Sequence, residues 1–256
     1  MESQKHLIKC HEHFAQTCRK APFMAHKYTF FYETFPKDKL LIDNIIKRAE
    51  DLAGKVNKGA ANDSRRRRSS DVIMANALAG VVSEALWRHF LNTDYKFVEY
   101  TPFEDAAKQI DLITSEGMKI EVRSSFPRNG VEFAICHPIH QFDILGPYNN
   151  GYKPDEIKKD YYVRVLYTYA QPTDILEGIK KDGFAVYLTG GATWQMMNDA
   201  KISKVKNLVP EDGFLQEGTT SYRVVPFSNA LDTYQIKDAI LRENNNRMKV
   251  HGSSSF

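Results

Sequence analysis

Two stretches of the chain carry apolar residues at the three- and four-residue spacing of a helix. The first, 39–56, puts its leucines, isoleucines and alanines on one face and runs into glycine and asparagine residues, which favour helix termination. The second, 72–90, follows a Ser-Ser-Asp run at 69–71 whose side chains can cap a helix start. It is apolar around most of its circumference, so we expect a buried helix. A charged residue in its middle, Glu84, then requires a structural or functional explanation.

The rest of the chain contains short segments in which apolar and polar residues alternate, which is typical of β-strands. A glycine-containing connection at 115–117 is suited to a tight hairpin between two of them. The predicted strands are 95–100, 109–114, 118–124, 131–136, 161–169, 183–189 and 222–225. Further helices are predicted over 173–180 and 229–242.

The order of these elements predicts an α/β or α+β fold in which a β-sheet core packs against helices. The chain has 256 residues, which suits one large domain or a domain with an appended lobe. We divide it into a mostly helical amino-terminal extension (1–70), a core domain (71–243) and a flexible polar tail (244–256). The stretch 57–70 has no large apolar residue and is expected to be a solvated loop.

Composition is that of an ordinary folded protein. Hydrophobic residues make up 42% and charged residues 26%, so a sizeable core can form. We find no apolar stretch of spanning length and no amino-terminal signal pattern, and therefore expect an intracellular protein without a membrane partner. The three cysteines, an odd number at irregular spacing, fit a reducing compartment better than a disulfide framework. The formal charge of +3 is only mildly basic and does not identify a partner.

Acidic residues of two predicted strands are expected to share one side of the sheet. Because side chains alternate along a strand, a hairpin through 115–117 can bring Asp111 and Glu121 to the same side. Two acids among apolar neighbours repel each other and are costly to desolvate, and a hard divalent cation relieves both costs. Carboxylate oxygens suit magnesium or manganese. Glu84, in the middle of the buried helix, is well placed to join them.

Asp111, the hairpin and the sequence Glu-Val-Arg-Ser-Ser at 121–125 resemble the PD-(D/E)XK nuclease superfamily, the fold of many restriction endonucleases. In that superfamily an aspartate opens the hairpin, an acid-X-lysine triplet follows on the next strand, and an acid from the preceding helix often joins them. The resemblance covers roughly 71–227 and implies a restriction-endonuclease-like mixed β-sheet flanked by helices. It implies that Asp111, Glu121 and Glu84 hold Mg2+, for which Mn2+ can substitute. The implied reaction is hydrolysis of DNA phosphodiesters to 5′-phosphate and 3′-hydroxyl ends.

Two positions depart from the superfamily pattern. Ile110 stands where proline is usual, which the superfamily tolerates, and Arg123 stands where lysine is usual. Arginine stays protonated and cannot be a base, although it can clamp the scissile phosphate and stabilise developing charge. Lys119 lies on the same predicted face and can supply an ammonium instead. The candidate catalytic residues are therefore Glu84, Asp111, Glu121, Arg123 and Lys119.

A dense basic run precedes the helix that carries Glu84; it can grip DNA phosphates, or it can be a solvated loop or a nuclear-targeting-like run. The expected partner is double-stranded DNA. A homodimer is also expected, because two sites related by a two-fold axis match the two strands of a palindrome. The resemblance further implies a type II restriction-like enzyme in a prokaryotic cytoplasm. The residues assigned to DNA contact are Arg65, Arg66, Arg67, Arg68, Ser124, Ser125 and Arg128.

Other interpretations stay open at this level. Asp111 and Glu121 can lie on the solvent face of an ordinary hairpin, and Glu84 can pair with Arg88 on the helix surface. A repair or branched-DNA nuclease of the same fold and a catalytically inactive nucleic-acid-binding protein are alternative functions. Two groups of metal-binding residue types are interpreted as structural. Cys10, His11, His13 and Cys18 match no standard zinc spacing, and His137 and His140 flank Pro138, which spoils a helical pair.

Overall fold

A computed structural model of the chain describes residues 3–9, 27–34, 39–55, 68–102, 109–137, 142–149, 156–180, 184–208 and 220–253. The fold is mixed α and β, with a mixed sheet flanked by helices, as the sequence predicts. The helices are α1 (Lys39–Lys55), α2 (Ser70–Leu91), α3 (Val131–Cys136), α4 (Asp174–Gly178), α5 (Trp194–Asn198) and α6 (Thr233–Ser253). The strands are β1 (Ser3–Lys9), β2 (Lys27–Thr34), β3 (Val98–Tyr100), β4 (Leu112–Thr114), β5 (Lys119–Ser125), β6 (Asp143–Asn149), β7 (Tyr161–Tyr167), β8 (Ala185–Thr193), β9 (Lys204–Leu208) and β10 (Thr220–Pro226).

The central sheet has seven strands in the order β1-β2-β8-β7-β5-β4-β3, and β6, β10 and β9 form a second, antiparallel sheet. Strands β5 and β7 pair in parallel, with Glu121 opposite Tyr162 and Arg123 opposite Arg164. The other neighbouring pairs of the central sheet are antiparallel. Helix α2 packs on one face of this sheet, and the three-stranded sheet contributes to a second apolar cluster on the other.

Helix α2 is buried along most of its length, as its apolar circumference predicts. Ser69 caps it, because the Ser69 Oγ accepts a hydrogen bond from the Val72 N–H at 3.3 Å. Near its other end the indole of Trp87 is fully buried and donates to the Arg164 carbonyl oxygen at 3.3 Å. These contacts fix the helix against β7 and hold Glu84 in the interior, where only 8% of that residue is exposed.

The hairpin predicted around 115–117 is confirmed. Leu112 of β4 lies opposite Ile120 of β5 in antiparallel register. Gly117 has a φ of 76°, in the left-handed region that favours glycine, and its N–H donates to the Thr114 carbonyl oxygen at 2.9 Å. The hairpin therefore sets the relative positions of Asp111, just before β4, and Glu121, on β5.

The prediction of a strand at 131–136 is wrong, because this segment is the short helix α3. Its buried residues Val131, Ala134 and Ile135 have the three- and four-residue spacing of a helix. Gly130, with a φ of 86°, turns the chain just before the helix. A six-residue apolar run is too short for periodicity to separate the two kinds of element.

The tail assignment is also wrong for residues 244–253, because α6 continues to Ser253, and residues 254–256 lie outside the described part of the chain. Asn244 is fully buried and its amide donates to the Ser115 Oγ at 3.3 Å, while Glu243 and Arg247 form an i,i+4 ion pair at 2.6 Å. The amino-terminal segment is less helical than expected: among its described residues, β1 and β2 accompany α1, and β2 pairs with β8. The division at residue 70 stays a prediction.

Two general expectations can be compared with the structure. No helix in the described ranges is both long enough and apolar enough to span a bilayer. Cys136, fully buried at the end of α3, is disulfide-bonded, which differs from the expectation of reduced cysteines. Cys10, His11, His13, Cys18 and His140 lie outside the described residues.

We expect Gly191→Ala to lower the free energy of unfolding by about 1–3 kcal/mol, because the new side chain overpacks the sheet. A Cβ at Gly191 would lie 2.5 Å from the backbone oxygen of Tyr162, which cannot move without disturbing β7. Gly54→Ala is the matched control, since a Cβ there meets nothing within 4 Å. Thermal unfolding of both variants measures the effect. If Gly191→Ala unfolds at the same midpoint as the wild-type protein, the strand accommodates the methyl group.

Candidate active site

The three predicted acids line one pocket of about 380 Å3. Glu84 reaches it from α2, Asp111 from the residue before β4, and Glu121 from β5. Glu121 is only 6% exposed and Glu84 only 8%. The alternative in which Asp111 and Glu121 lie on a solvent-facing hairpin is therefore excluded for Glu121. We call this cavity the acidic pocket.

Asp111 is held by the strand that follows it. Its Oδ2 accepts a hydrogen bond from the Val122 N–H at 2.7 Å, so the backbone of β5 fixes the carboxyl next to the acid-X-arginine segment. The pKa of Asp111 is raised well above its ordinary value, first by loss of hydration and then by the charges of Glu121 and Glu84. The ionised form of this carboxyl is thus destabilised in the absence of a compensating positive charge.

Glu84 pairs with an arginine that the sequence did not suggest. Its Oε2 accepts from the Arg48 Nη2 of α1 at 2.5 Å, and the Arg48 guanidinium also lies over the Tyr100 ring, 3.9 Å from the centroid. Arg88, the partner considered at the sequence level, pairs with Glu99 instead, at 2.8 Å. Desolvation still raises the pKa of Glu84 to about 7, because it outweighs the attraction of Arg48, and the charge of Glu121 adds to the rise.

Glu121 lies in a buried network of alternating charge. The Arg123 Nη2 contacts the Glu121 Oε1 at 2.7 Å and the Glu156 Oε1 at 2.8 Å. The Lys159 Nζ lies 3.1 Å from the Glu121 Oε2 and 3.9 Å from the Glu156 Oε1, and Lys159 is only 1% exposed. Two cations thus share two carboxylates, which is the arrangement that buried charges need.

Lys159 is a candidate for the ammonium that the superfamily pattern places where this chain has Arg123. Its ammonium is buried and lies 3.1 Å from the Glu121 Oε2, whereas Lys119 forms no ion pair with the three acids among the described residues; neither lysine is itself part of the described lining of the acidic pocket. The backbone N–H of Lys159 donates to the Tyr162 hydroxyl oxygen at 3.2 Å, which anchors the segment just before β7. Lys159 therefore joins Lys119 as a candidate for the ammonium, and it is the one of the two that contacts Glu121.

Lys159, Glu156 and Arg48 were missed because their neighbours are distant in sequence. Glu156 and Lys159 precede β7, and only the parallel pairing of β5 with β7 brings them to Glu121. Arg48 is on α1, 36 positions before Glu84. The clustered charges of 155–160, Asp-Glu-Ile-Lys-Lys-Asp, directly before a strand were the available signal.

The described residues among those assigned to DNA contact divide into two groups. Ser124, Ser125 and Arg128 line a second pocket beside the end of β5. Arg68 is partly buried just before α2, and burial lowers its pKa. Arg65, Arg66 and Arg67 lie outside the described residues.

The donor set of the acidic pocket fits a hard divalent cation. Its carboxylates offer oxygen only, and burial and mutual repulsion disfavour the ionised forms of Asp111 and Glu84, which a dication would relieve. In the described part of the chain, however, no three His, Cys, Asp or Glu side chains form a ready coordination group. Arg48, Arg123 and Lys159 contact oxygens of Glu84 and Glu121, so metal binding would exchange at least one of these ion pairs.

Comparisons with protein-family models, with curated proteins and with solved structures gave no match for this chain. The likeness to the PD-(D/E)XK superfamily therefore rests on the motif residues and on the geometry of the acidic pocket. Membership in that superfamily stays a prediction.

Proposed function

We propose that the chain is a metal-dependent endodeoxyribonuclease of the PD-(D/E)XK type, which cuts double-stranded DNA at a specific sequence. The observation that carries the proposal is the convergence of Glu84, Asp111 and Glu121 on one pocket, with the buried ammonium of Lys159 against Glu121. Acids that only served solubility would face water with ordinary pKa values. Strongly perturbed carboxyls in a cleft are instead typical of functional sites.

Asp111, Glu121 and Glu84 are the residues that would hold Mg2+ or Mn2+. Such a cation supplies Lewis acidity, since it lowers the pKa of water and polarises a phosphate oxygen. The raised pKa of Glu84 and Asp111 means that binding releases protons from these carboxyls.

The cationic side chains have separate roles in this proposal. Lys159 balances the negative charge that develops on the scissile phosphate, and its desolvated ammonium acts more strongly there than it would in water. Arg123 remains protonated and bridges Glu121 to Glu156, so it orients Glu121. The departure from the usual lysine at position 123 is then compatible with catalysis.

The wider setting follows from the same proposal. DNA is the substrate, and a homodimer places two acidic pockets on the two strands of a palindromic site. A prokaryotic cytoplasm is the proposed location, and the disulfide of Cys136 is the observation that speaks against it. One observation favours the second candidate, a binding protein without catalysis: ion pairs with Arg48, Arg123 and Lys159 already engage Glu84 and Glu121.

We expect the purified protein to cut unmodified genomic and plasmid DNA into discrete fragments when Mg2+ or Mn2+ is present, and to cut nothing in EDTA. Mapping of the fragment ends should give one recurring sequence with 5′-phosphate and 3′-hydroxyl ends. Cleavage confined to branched substrates would favour the repair nuclease. DNA binding without nicking under either metal would contradict catalysis and support the binding protein.

A further inference from the structure

A second cavity, of about 430 Å3, lies beside the carboxyl end of β5. We call it the Ser125 pocket; its lining includes Asn76, Ser124, Ser125, Phe126, Arg128 and Phe142. None of the described residues that line it is an aspartate or a glutamate, whereas hydroxyl, amide and guanidinium donors are present. It therefore differs in charge from the acidic pocket and favours an anion.

A buried arginine contacts one of the residues that line this pocket. Arg164 of β7 is only 3% exposed, and its Nη2 donates to the Ser125 Oγ at 2.6 Å. Its Nε and Nη1 are buried without a hydrogen-bond partner, and no carboxylate of the described residues forms an ion pair with it. The acid whose charge acts on the Arg164 pKa is Asp143, which pairs with Lys206. A guanidinium in this state leaves positive potential that is not fully compensated.

Ser125 links the Arg164 guanidinium to the cavity, because it contacts Arg164 and lines the pocket. Because its oxygen accepts from Arg164, the hydroxyl proton is left to donate to another group. The rings of Phe126 and Phe142 form apolar walls, and the Arg164 guanidinium lies 5.8 Å from the Phe142 centroid. Apolar walls reduce hydration, so a hydrogen bond from Ser125 to an anion would be stronger there than in open solvent.

The pocket also lies next to the candidate active site along β5. Ser125 follows Glu121 by four residues on β5, which corresponds to about 13 Å at the usual rise of a strand. This distance spans roughly four steps of a DNA strand along the duplex axis. A strand whose scissile phosphate lies at Glu121 can therefore present a phosphate a few nucleotides away to Ser125.

We propose that the Ser125 pocket binds a non-scissile backbone phosphate of the DNA, through Ser125, Arg128 and Asn76 with Arg164 as the buried source of positive charge. The identity of the ligand rests on the proposed function, in which DNA is the substrate. The pocket positions the strand and carries no cleavage chemistry of its own.

The decisive variant is Ser125→Asp, because it should affect stability and DNA binding in opposite directions. An aspartate at this position gives Arg164 a carboxylate partner and should raise the thermal unfolding midpoint. The same carboxylate repels a phosphate, so affinity for a duplex in EDTA should fall at least about tenfold, and the slope of log K against log salt should fall by about one. Arg128→Ala should lower the slope by a similar amount.

Ser115→Asp and Arg242→Ala are the controls for DNA binding, since they make the same charge changes at exposed positions outside the pocket. The unfolding midpoint of Ser125→Asp is compared with the wild-type protein alone, because the Ser115 Oγ contacts the buried Asn244. If Ser125→Asp and Arg128→Ala bind DNA like these controls, the phosphate site is overturned. Cleavage is measured separately, with metal. If Ser125→Asp changes the salt slope but the wild-type protein never cuts DNA, the phosphate site is supported and the nuclease proposal is contradicted. If the wild-type protein cuts DNA but Ser125→Asp leaves the slope unchanged, the nuclease proposal is supported and the phosphate site is contradicted.

Discussion

We expect Asp111→Asn to reduce DNA cleavage by more than about 100-fold while stabilising the metal-free protein. The loss of activity follows because an amide is a far weaker ligand for a hard dication than a carboxylate. The gain in stability follows because Asp111 is destabilised by desolvation and by Glu121 and Glu84, and asparagine carries no charge. The amide oxygen can still accept the Val122 N–H, so the fold keeps that hydrogen bond.

The stabilisation should depend on pH. In the unfolded chain an aspartate releases its proton near about pH 4, whereas Asp111 in the folded protein keeps its proton to a higher pH. The folded state then binds more protons across that window, and its free energy of unfolding falls as the pH rises through it. Asparagine does not titrate. The advantage of the variant should therefore be absent below about pH 4 and full above the raised pKa.

Asp160→Asn is the matched control for this experiment. The Asp160 Oδ2 also accepts a backbone N–H of β5, from Lys119 at 2.8 Å, but Asp160 does not line the acidic pocket. This control should retain cleavage. Thermal unfolding in EDTA across the pH range, together with plasmid cleavage in Mg2+, measures both effects. If the Asp111→Asn protein cuts DNA at the wild-type rate, the assignment of Asp111 to the active site is contradicted.

The second large effect is expected for Lys159→Met, which should lower the rate of cleavage by about 100-fold or more. Methionine fills a similar volume without the charge, and Arg123 still contacts Glu121, so one ion pair of that carboxylate remains. If Lys159 acts on the phosphate during the reaction, kcat should fall while DNA affinity in EDTA stays near the wild-type value. A purely structural role would instead lower the unfolding midpoint and affinity together.

Lys119→Met is the control, because it removes the same charge from the lysine that the sequence favoured. It should cut DNA almost normally. The opposite ranking, with Lys119→Met inactive and Lys159→Met active, would restore Lys119 to the site and contradict the assignment of Lys159.

The local part of the site could be predicted from sequence, and the long-range part could not. Strand alternation and the glycine turn were enough to place Asp111 and Glu121 together, and the apolar surroundings of Glu84 indicated its burial. Lys159 could not be found this way. Its approach to Glu121 depends on the parallel pairing of β5 with β7, which leaves no periodic signal between the two strands.

The errors in the fold have similar physical causes. Residues 131–136 form a short apolar run that fits either a strand or a helix, and burial decided for the helix. The polar composition beyond residue 244 suggested a frayed end, but Asn244 and its neighbours find partners that continue α6. Strands β6 and β9 were missed because neither shows a clear run of alternating residues.

The chain's two tryptophans occupy different surroundings. Trp87 is fully enclosed against β7, whereas the ring of Trp194 is partly exposed and has the Lys158 ammonium 5.0 Å from its centroid. Lys158 belongs to the same short backbone segment as Glu156 and Lys159. Displacement of the Lys158 ammonium therefore changes the electric field at the Trp194 indole, which gives the protein an intrinsic fluorescent reporter beside its candidate catalytic lysine.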